Sequence, residues 1–288
     1  MNRVPLVIQR TLGSPTAEAS FENAVAYYNR NDYATALLLV RPMAEQGYAP
    51  AQHKLGVMYD KGQGIAQDEA EAVRWYRLAA AQGHIFSQYN LGVMYDNGRG
   101  VEEDDAEAVK WYTLAAAQDD ADAQFNLGVM YNLGLGVDGD DVEAVKWFGL
   151  AAAQGSAPAQ FNLGNMYFKG QGVMQDDAEA VRWYRLAAAQ GHIFSQYNLG
   201  VMYDNGRGVE EDDAEAVKWY TLAAAQGDAS AQLKLGILYD NGRGVEEDHA
   251  EAVKWYTLAA AQGNEYAQYY LDMSPEAVTS RINAMFSA

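Results

Sequence analysis

Cysteine is absent from the 288 residues, which removes any disulfide framework and any thiol nucleophile. Basic residues are scarce, with Lys+Arg 20 against Asp+Glu 39 and a formal net charge of −19. Such a chain repels phosphate backbones and anionic lipid surfaces, so nucleic acid is a poor candidate partner. No apolar run reaches the 18 residues that would suggest a membrane span. The start of the chain has no signal-peptide apolar region, because Gln9, Arg10 and Thr11 interrupt Val4 to Ile8. As it stands the chain reads as cytoplasmic; an exported or periplasmic home is the alternative if a leader has been removed. Histidine occurs four times, at His53, His84, His192 and His249, and no Ser-x-x-Lys occurs. A histidine without an oriented partner is no acid or base, so catalytic candidates are lacking.

What is present in abundance is a 36-residue unit without insertions. A Leu-Gly pair falls at Leu55, Leu91, Leu127, Leu163, Leu199 and Leu235, and a tryptophan at Trp75, Trp111, Trp147, Trp183, Trp219 and Trp255. The expected organisation is an N-terminal extension of low order over residues 1–20, a short tetratricopeptide-like helix pair over 21–50, six units (51–86, 87–122, 123–158, 159–194, 195–230, 231–266), then a half unit with a C-terminal capping helix over 267–288. The capping helix is signalled by Ser274 before Pro275, with Val278, Ile282 and Met285 as its apolar stripe.

Within a unit, helix A carries the Leu-Gly pair, whose glycine lets a neighbouring helix approach. A Gly-x-Gly loop follows, and helix B opens with an aspartate three residues before a glutamate: Asp68, Asp104, Asp140, Asp176, Asp212 and Asp248. This spacing predicts a capping box in which both side chains satisfy orphan amides. Helix B ends at Gly83, Gly155, Gly191, Gly227 and Gly263, the residue suited to a left-handed cap; Asp119 takes that place in one unit, at a cost of roughly 1 kcal/mol if the backbone is kept. The tryptophans are expected to pack between units, and Tyr59, Tyr95, Tyr131, Tyr167, Tyr203 and Tyr239 to fill the space between helices A and B.

The combination of Leu-Gly-x-Met-Tyr, Gly-x-Gly-Val and Ala-Val-(Lys/Arg)-Trp over residues 51–266 resembles the Sel1-like repeat family of tetratricopeptide-like proteins. The resemblance implies an all-α fold, a right-handed α-solenoid of antiparallel helix pairs with helix A on the concave side. It also implies a non-enzymatic adaptor that binds other proteins, with no cofactor and no metal. Relatives associated with β-lactam hydrolysis are cysteine-rich, and this chain lacks their cysteines.

Alignment with the tetratricopeptide pattern turns unit positions three, seven, ten and eleven towards the groove. Position three reads His53, Tyr89, Phe125, Phe161, Tyr197, Leu233, and position ten reads Asp60, Asp96, Asn132, Phe168, Asp204, Asp240. An aromatic row beside an acidic row suits a peptide or helix with apolar and basic side chains. Two units depart from the rule: Asn132 and Phe168 replace the acid, Leu133 and Leu135 enter a polar loop, and Asn165 replaces an aliphatic residue. The candidate partner-binding residues are therefore Phe125, Val129, Asn132, Leu133, Phe161, Asn165 and Phe168, flanked by Tyr89 and Tyr197, with Asp60, Asp96, Asp204 and Asp240 steering a cationic ligand. Drift in a degenerate unit containing Gly149 is the rival explanation of the departures. A homodimer would form through an exposed end or this central patch. The rival function is a cell-envelope module that binds glycan or peptidoglycan through its aromatics. Calcium is disfavoured, since the acid runs lack the Asp-x-Asp-x-Asp-Gly spacing and capping accounts for them. Residues 70–118 repeat letter for letter as 178–226, which a duplication of three units, or assembly of the chain from modules, would produce.

Overall fold

The computed structural model describes residues 15–273, which hold fifteen α-helices and no strand. The expected capping helix after Ser274 lies outside the described residues. Consecutive helices pack on one another in pairs, as in an α-solenoid. The chain divides into two compact units between Trp147 and Phe148.

The first unit opens with α1 (Pro15–Asn29) and α2 (Tyr33–Glu45), so its first helix starts six residues before Phe21. The repeats follow as α3 (Ala49–Lys61), α4 (Glu69–Ala80), α5 (Ile85–Asp96), α6 (Asp105–Ala116) and α7 (Ala121–Leu133), and the division falls within α8 (Asp141–Ala153). The second unit continues with α9 (Ala157–Lys169), α10 (Asp177–Ala189), α11 (Ile193–Asp204), α12 (Asp213–Ala225), α13 (Ala229–Asp240), α14 (His249–Ala261) and α15 (Glu265–Met273).

Helices A and B of a pair close on the Leu-Gly glycine. A methyl group on Gly92 would lie 2.4 Å from the ring of Tyr112, and one on Gly200 would lie 2.5 Å from Tyr220. These helix-B tyrosines, with Tyr76 and Tyr184, are the largest fully buried side chains of the protein. They occupy the centre of the A/B interface, whereas Tyr59, Tyr95, Tyr203 and Tyr239 are half-buried and flank the core clusters. The tryptophans do reach back to the preceding pair: Trp75 packs with Val40, Ala44, Ala51 and Leu55, and Trp219 against Ala180, Val181 and Leu199.

Between pairs runs a glutamine relay. Buried Gln88 on α5 donates to the Ala80 carbonyl at the end of α4 (3.2 Å) and accepts from Gln118 after α6 (2.7 Å). Gln52 with Gln82, Gln160 with Gln190, Gln196 with Gln226 and Gln232 with Gln262 repeat the pattern. Each relay adds a side-chain bond to a helix-end carbonyl that also accepts from the turn amide, as Ala80 does from Gly83, and ties that helix end to the next pair.

The aspartate caps form as expected, with Asp104 accepting from the Glu107 amide at 3.0 Å and Asp212 from Glu215 at 3.0 Å. The reciprocal half of the capping box does not form. The Asp104 amide is already bonded to the Tyr95 carbonyl at 3.0 Å, and Glu107 turns to Lys110 at 2.8 Å instead. The same substitution of partners holds for Glu71 with Arg74 and Glu179 with Arg182. Asp119 keeps the left-handed backbone of the glycines it replaces, with φ +64°.

Three stability outcomes follow from these contacts. Gly92→Ala destabilises by about 1–3 kcal/mol, because the fully buried Tyr112 ring has nowhere to retreat. Asp119→Gly stabilises by about 1 kcal/mol, since it relieves a left-handed residue with a Cβ. Gln88→Leu costs roughly 1–3 kcal/mol, as it removes two hydrogen bonds, one to the Ala80 carbonyl and one from the Gln118 amide. Denaturant unfolding followed by circular dichroism reads all three.

Candidate functional site

Positions three, seven and ten of each helix A fall on one face of the helix, because residues four and three apart share a side. In the first unit this face carries His53, Val57 and Asp60 on α3, Tyr89, Val93 and Asp96 on α5, and Phe125, Val129 and Asn132 on α7, all half-buried. In the second unit it carries Phe161, Asn165 and Phe168 on α9, Tyr197, Val201 and Asp204 on α11, and Leu233, Ile237 and Asp240 on α13, again half-buried. The aromatic row is thus only partly exposed. Tyr89 leans on Tyr112 (ring centroids 6.1 Å apart), Tyr197 on Tyr220 (5.8 Å) and Phe161 on Tyr184 (6.2 Å).

Of the seven residues of the expected central patch, Phe125, Val129, Asn132 and Leu133 belong to the first unit and Phe161, Asn165 and Phe168 to the second. Leu133, the last residue of α7, is 63% exposed, where the other units place lysine or asparagine. Its companion Leu135 instead packs against the core around Tyr112 and Met130. Asn132 donates to the Asp141 carboxylate at 2.9 Å. Asn165 accepts from the Tyr184 hydroxyl at 2.7 Å, and the Arg207 guanidinium lies 4.2 Å from the centre of the Phe168 ring. Asn165, Phe168, Tyr184, Asn198, Val201 and Met202 line a cavity of about 230 Å³.

The four acids at position ten have different surroundings. Asp60 is held by Arg99 at 2.5 Å. Asp204, whose side chain is 7% exposed, is flanked by Arg243 at 3.0 Å and Lys234 at 3.3 Å. Asp240 lies 2.6 Å from His249 Nδ1. Asp96 accepts from the Tyr112 hydroxyl at 3.1 Å, and burial together with the charge of Asp105 raises its carboxyl above the ordinary aspartate range, while the Tyr112 bond pulls the other way.

Two of the histidines pack together. His53 stacks on His84 with ring centroids 4.6 Å apart, and both Nδ1 atoms approach Ser87 Oγ, at 3.0 and 3.1 Å. Burial, with the nearby His84 and Lys54, pushes His53 down to about 3, so it stays neutral. Ser87 is wholly buried, and no substrate reaches its hydroxyl; His84 caps α5 by accepting from the Ser87 amide. No group of three metal-ligating side chains occurs among the described residues. No described helix is long and apolar enough to cross a membrane.

Two features escaped the sequence reading. Phe86 and Phe194, 61% and 58% exposed, stand beside His84 and His192 in the duplicated segment. The arginines of the Gly-Arg-Gly loops bind acids of the preceding repeat, and the recurring interval of 39 residues from Asp60 to Arg99 and from Asp204 to Arg243 was the available signal.

The comparisons with known proteins come down on the same architecture. No curated protein matches the chain. A protective antigen of uropathogenic Escherichia coli strains with an SLR fold is similar at 38% identity and a TM-score of 0.88, over 96% of this chain and 61% of the antigen; the chain spans less than two thirds of that protein's length. A Sel1 repeat protein from Oxalobacter formigenes is similar at 31% identity and a TM-score of 0.73, over 83% of this chain and 96% of its own. The Sel1 repeat itself matches six times in succession, at residues 49–84, 85–120, 121–156, 157–192, 193–228 and 229–264. Sel1 repeat proteins generally mediate protein–protein interactions and are typically non-enzymatic scaffolds. With its repeats unbroken over three quarters of its length and its helices paired as theirs are, the chain belongs to the Sel1 repeat family.

Proposed function

We propose that this protein is a non-enzymatic scaffold that takes a peptide or helical segment, apolar with basic side chains, on its helix-A face. Leu133 carries the reading: a large apolar side chain, 63% exposed, ends helix A at the position where the other repeats have Lys61, Asn97, Lys169, Asn205 and Asn241. Nothing in the core calls for it. Around it in the first unit, Phe125 and Val129 supply half-buried apolar surface of the kind that anchors a partner side chain, with Tyr89 on the neighbouring α5. In the second unit the corresponding surface is Phe161, Asn165 and Phe168 with Tyr197. The acids at position ten add attraction for cations to the extent that no internal cation holds them, which distinguishes Asp96 from Asp60 and Asp204. The end surfaces and the Leu133 region are also where a second copy of the chain would bind.

The test is capture from a lysate of the source organism, identification of the captured protein, and titration of the purified pair. Leu133→Asp, with its fold confirmed by circular dichroism, is expected to weaken binding at least about tenfold, or roughly 1.4 kcal/mol. Raising the salt should weaken it further, since exposed acids act over a Debye length of about 8 Å at physiological ionic strength. Equal capture by both proteins at all salt concentrations would exclude the Leu133 surface. Binding to a glycan array with no protein captured would transfer the function to the envelope reading.

A further inference from the structure

Five of the six repeats place an acidic side chain at the first residue of helix B, nine residues after position ten, so an acid at position ten brings two like charges together unless something intervenes. In five of the six repeats something does. Arg99 bridges Asp60 at 2.5 Å and Glu69 at 2.7 Å, and Arg243 bridges Asp204 at 3.0 Å and Asp213 at 2.5 Å. Arg207 binds Asp177 at 2.9 Å while its guanidinium lies over Phe168, which has replaced the acid. Asn132 donates an amide to Asp141, and His249 replaces the acid that would face Asp240. The remaining repeat pairs Asp96 with Asp105, and there the bridging position is occupied by Leu135.

The backbone shows that Leu135 stands where the arginines stand. The glycine that follows each of these residues nests on the start of the preceding helix B, and a methyl group on Gly100, Gly136 or Gly244 would in every case lie 2.3 Å from the carbonyl carbon of Glu69, Asp105 or Asp213. The loop is therefore seated alike in all three. Leu135 lays its side chain on the core around Tyr112, as the stem of an arginine would, and brings no charge. Among the described residues no cation lies within ion-pair distance of Asp96 or Asp105. Burial and the Asp105 charge make the ionised Asp96 costly, which is the condition an arriving cation relieves.

We propose that Asp96 and Asp105 form the seat for an arginine side chain of the partner protein, which completes from outside the bridge that Arg99 and Arg243 make from within. This deepens the interaction reading above and rests on it for the source of the arginine. Guanidinium is favoured over ammonium because the sister seats use both the Nε and Nη2 donors, Arg99 on Glu69 and Arg243 on Asp213. The neighbouring Leu133 and Tyr89 suit an apolar residue beside that arginine in the partner's sequence.

The seat can be tested without the partner. N-acetyl-arginine amide is titrated into the intact protein, and the side-chain carboxyl resonances are followed by NMR, with N-acetyl-citrulline amide as the uncharged isostere. The Asp96 and Asp105 signals should move first with the arginine amide and stay still with the citrulline amide. Asp96→Asn should weaken that response at least about tenfold. Leu135→Arg, which fills the seat from within, should abolish it, lower the titration midpoint of Asp96, and leave the fold intact as Arg99 does in its own repeat. A response spread evenly over the acidic loops, one matched by the citrulline amide, no response at all, or one that survives both substitutions would each overturn the proposal. Those results would leave the scaffold reading standing, because the capture experiment tests Leu133 and not the acid pair.

Discussion

A tyrosine ring lying on bare glycine backbone sets the spacing of the two helices in a repeat, and the rest of the structure follows from that spacing. A Cβ on Gly92 would lie 2.4 Å from the Tyr112 ring and one on Gly200 2.5 Å from the Tyr220 ring, closer than any real side chain sits. At that distance the rings are wholly enclosed, and small side chains such as Ala108, Ala115 and Ala123 complete the core beside Leu127 and Met130. Helix B can then end in a run of alanines, whose last carbonyls accept both from the turn amide and from the buried glutamine of the next helix A. The close approach within a pair thereby determines how one pair is joined to the next.

Charge follows the same geometry. Helix B must start at an aspartate cap to satisfy its first amides, and an acid in its first turn complements the positive end of the helix. The tight pairing brings that turn to the end of helix A, where position ten is also acidic. The conflict is inherent in the repeat, and the loop arginine two positions into the glycine loop is its usual resolution. The formal charge of −19 therefore overstates the field at the helix-A face, because Asp60 and Asp204 are already matched to cations from the following repeat.

The features legible in the sequence are those that one repeat determines alone. The glycine under the ring, the aspartate caps and the left-handed backbone at Asp119 each depend on a few neighbouring residues, and each is where the 36-residue spacing places it. Less legible were features decided by contacts between the helices of a pair or between repeats. Glu107 fits the capping-box spacing, yet the Asp104 amide is claimed by the Tyr95 carbonyl across the pair, so the glutamate turns to Lys110. Asp60 and Asp96 look alike in the sequence, yet one is neutralised by a residue 39 positions on and the other is not. A Gln recurs at the end of each Ala-Ala-Ala-Gln run, but its partner lies 30 residues back and its role emerges only when the pairs are stacked.

The duplicated segment shows how far the neighbours, and not the repeat, decide what a surface offers. Residues 70–118 and 178–226 are identical, so Arg99 and Arg207 sit in the same local sequence and the same glycine loop. Arg99 nevertheless closes a bridge between Asp60 and Glu69, whereas Arg207 covers an aromatic ring at Phe168 while binding Asp177. Likewise His84 stacks on His53, whereas its copy His192 packs on Phe161. Identical sequence thus presents an ion-pair bridge at one place and a cation over an aromatic ring at the other. The junctions between repeats, and not the repeat alone, thus decide which charges and rings the surface presents, and two of them depart from the rule, at Asp96 with Leu135 and at Phe168 with Arg207.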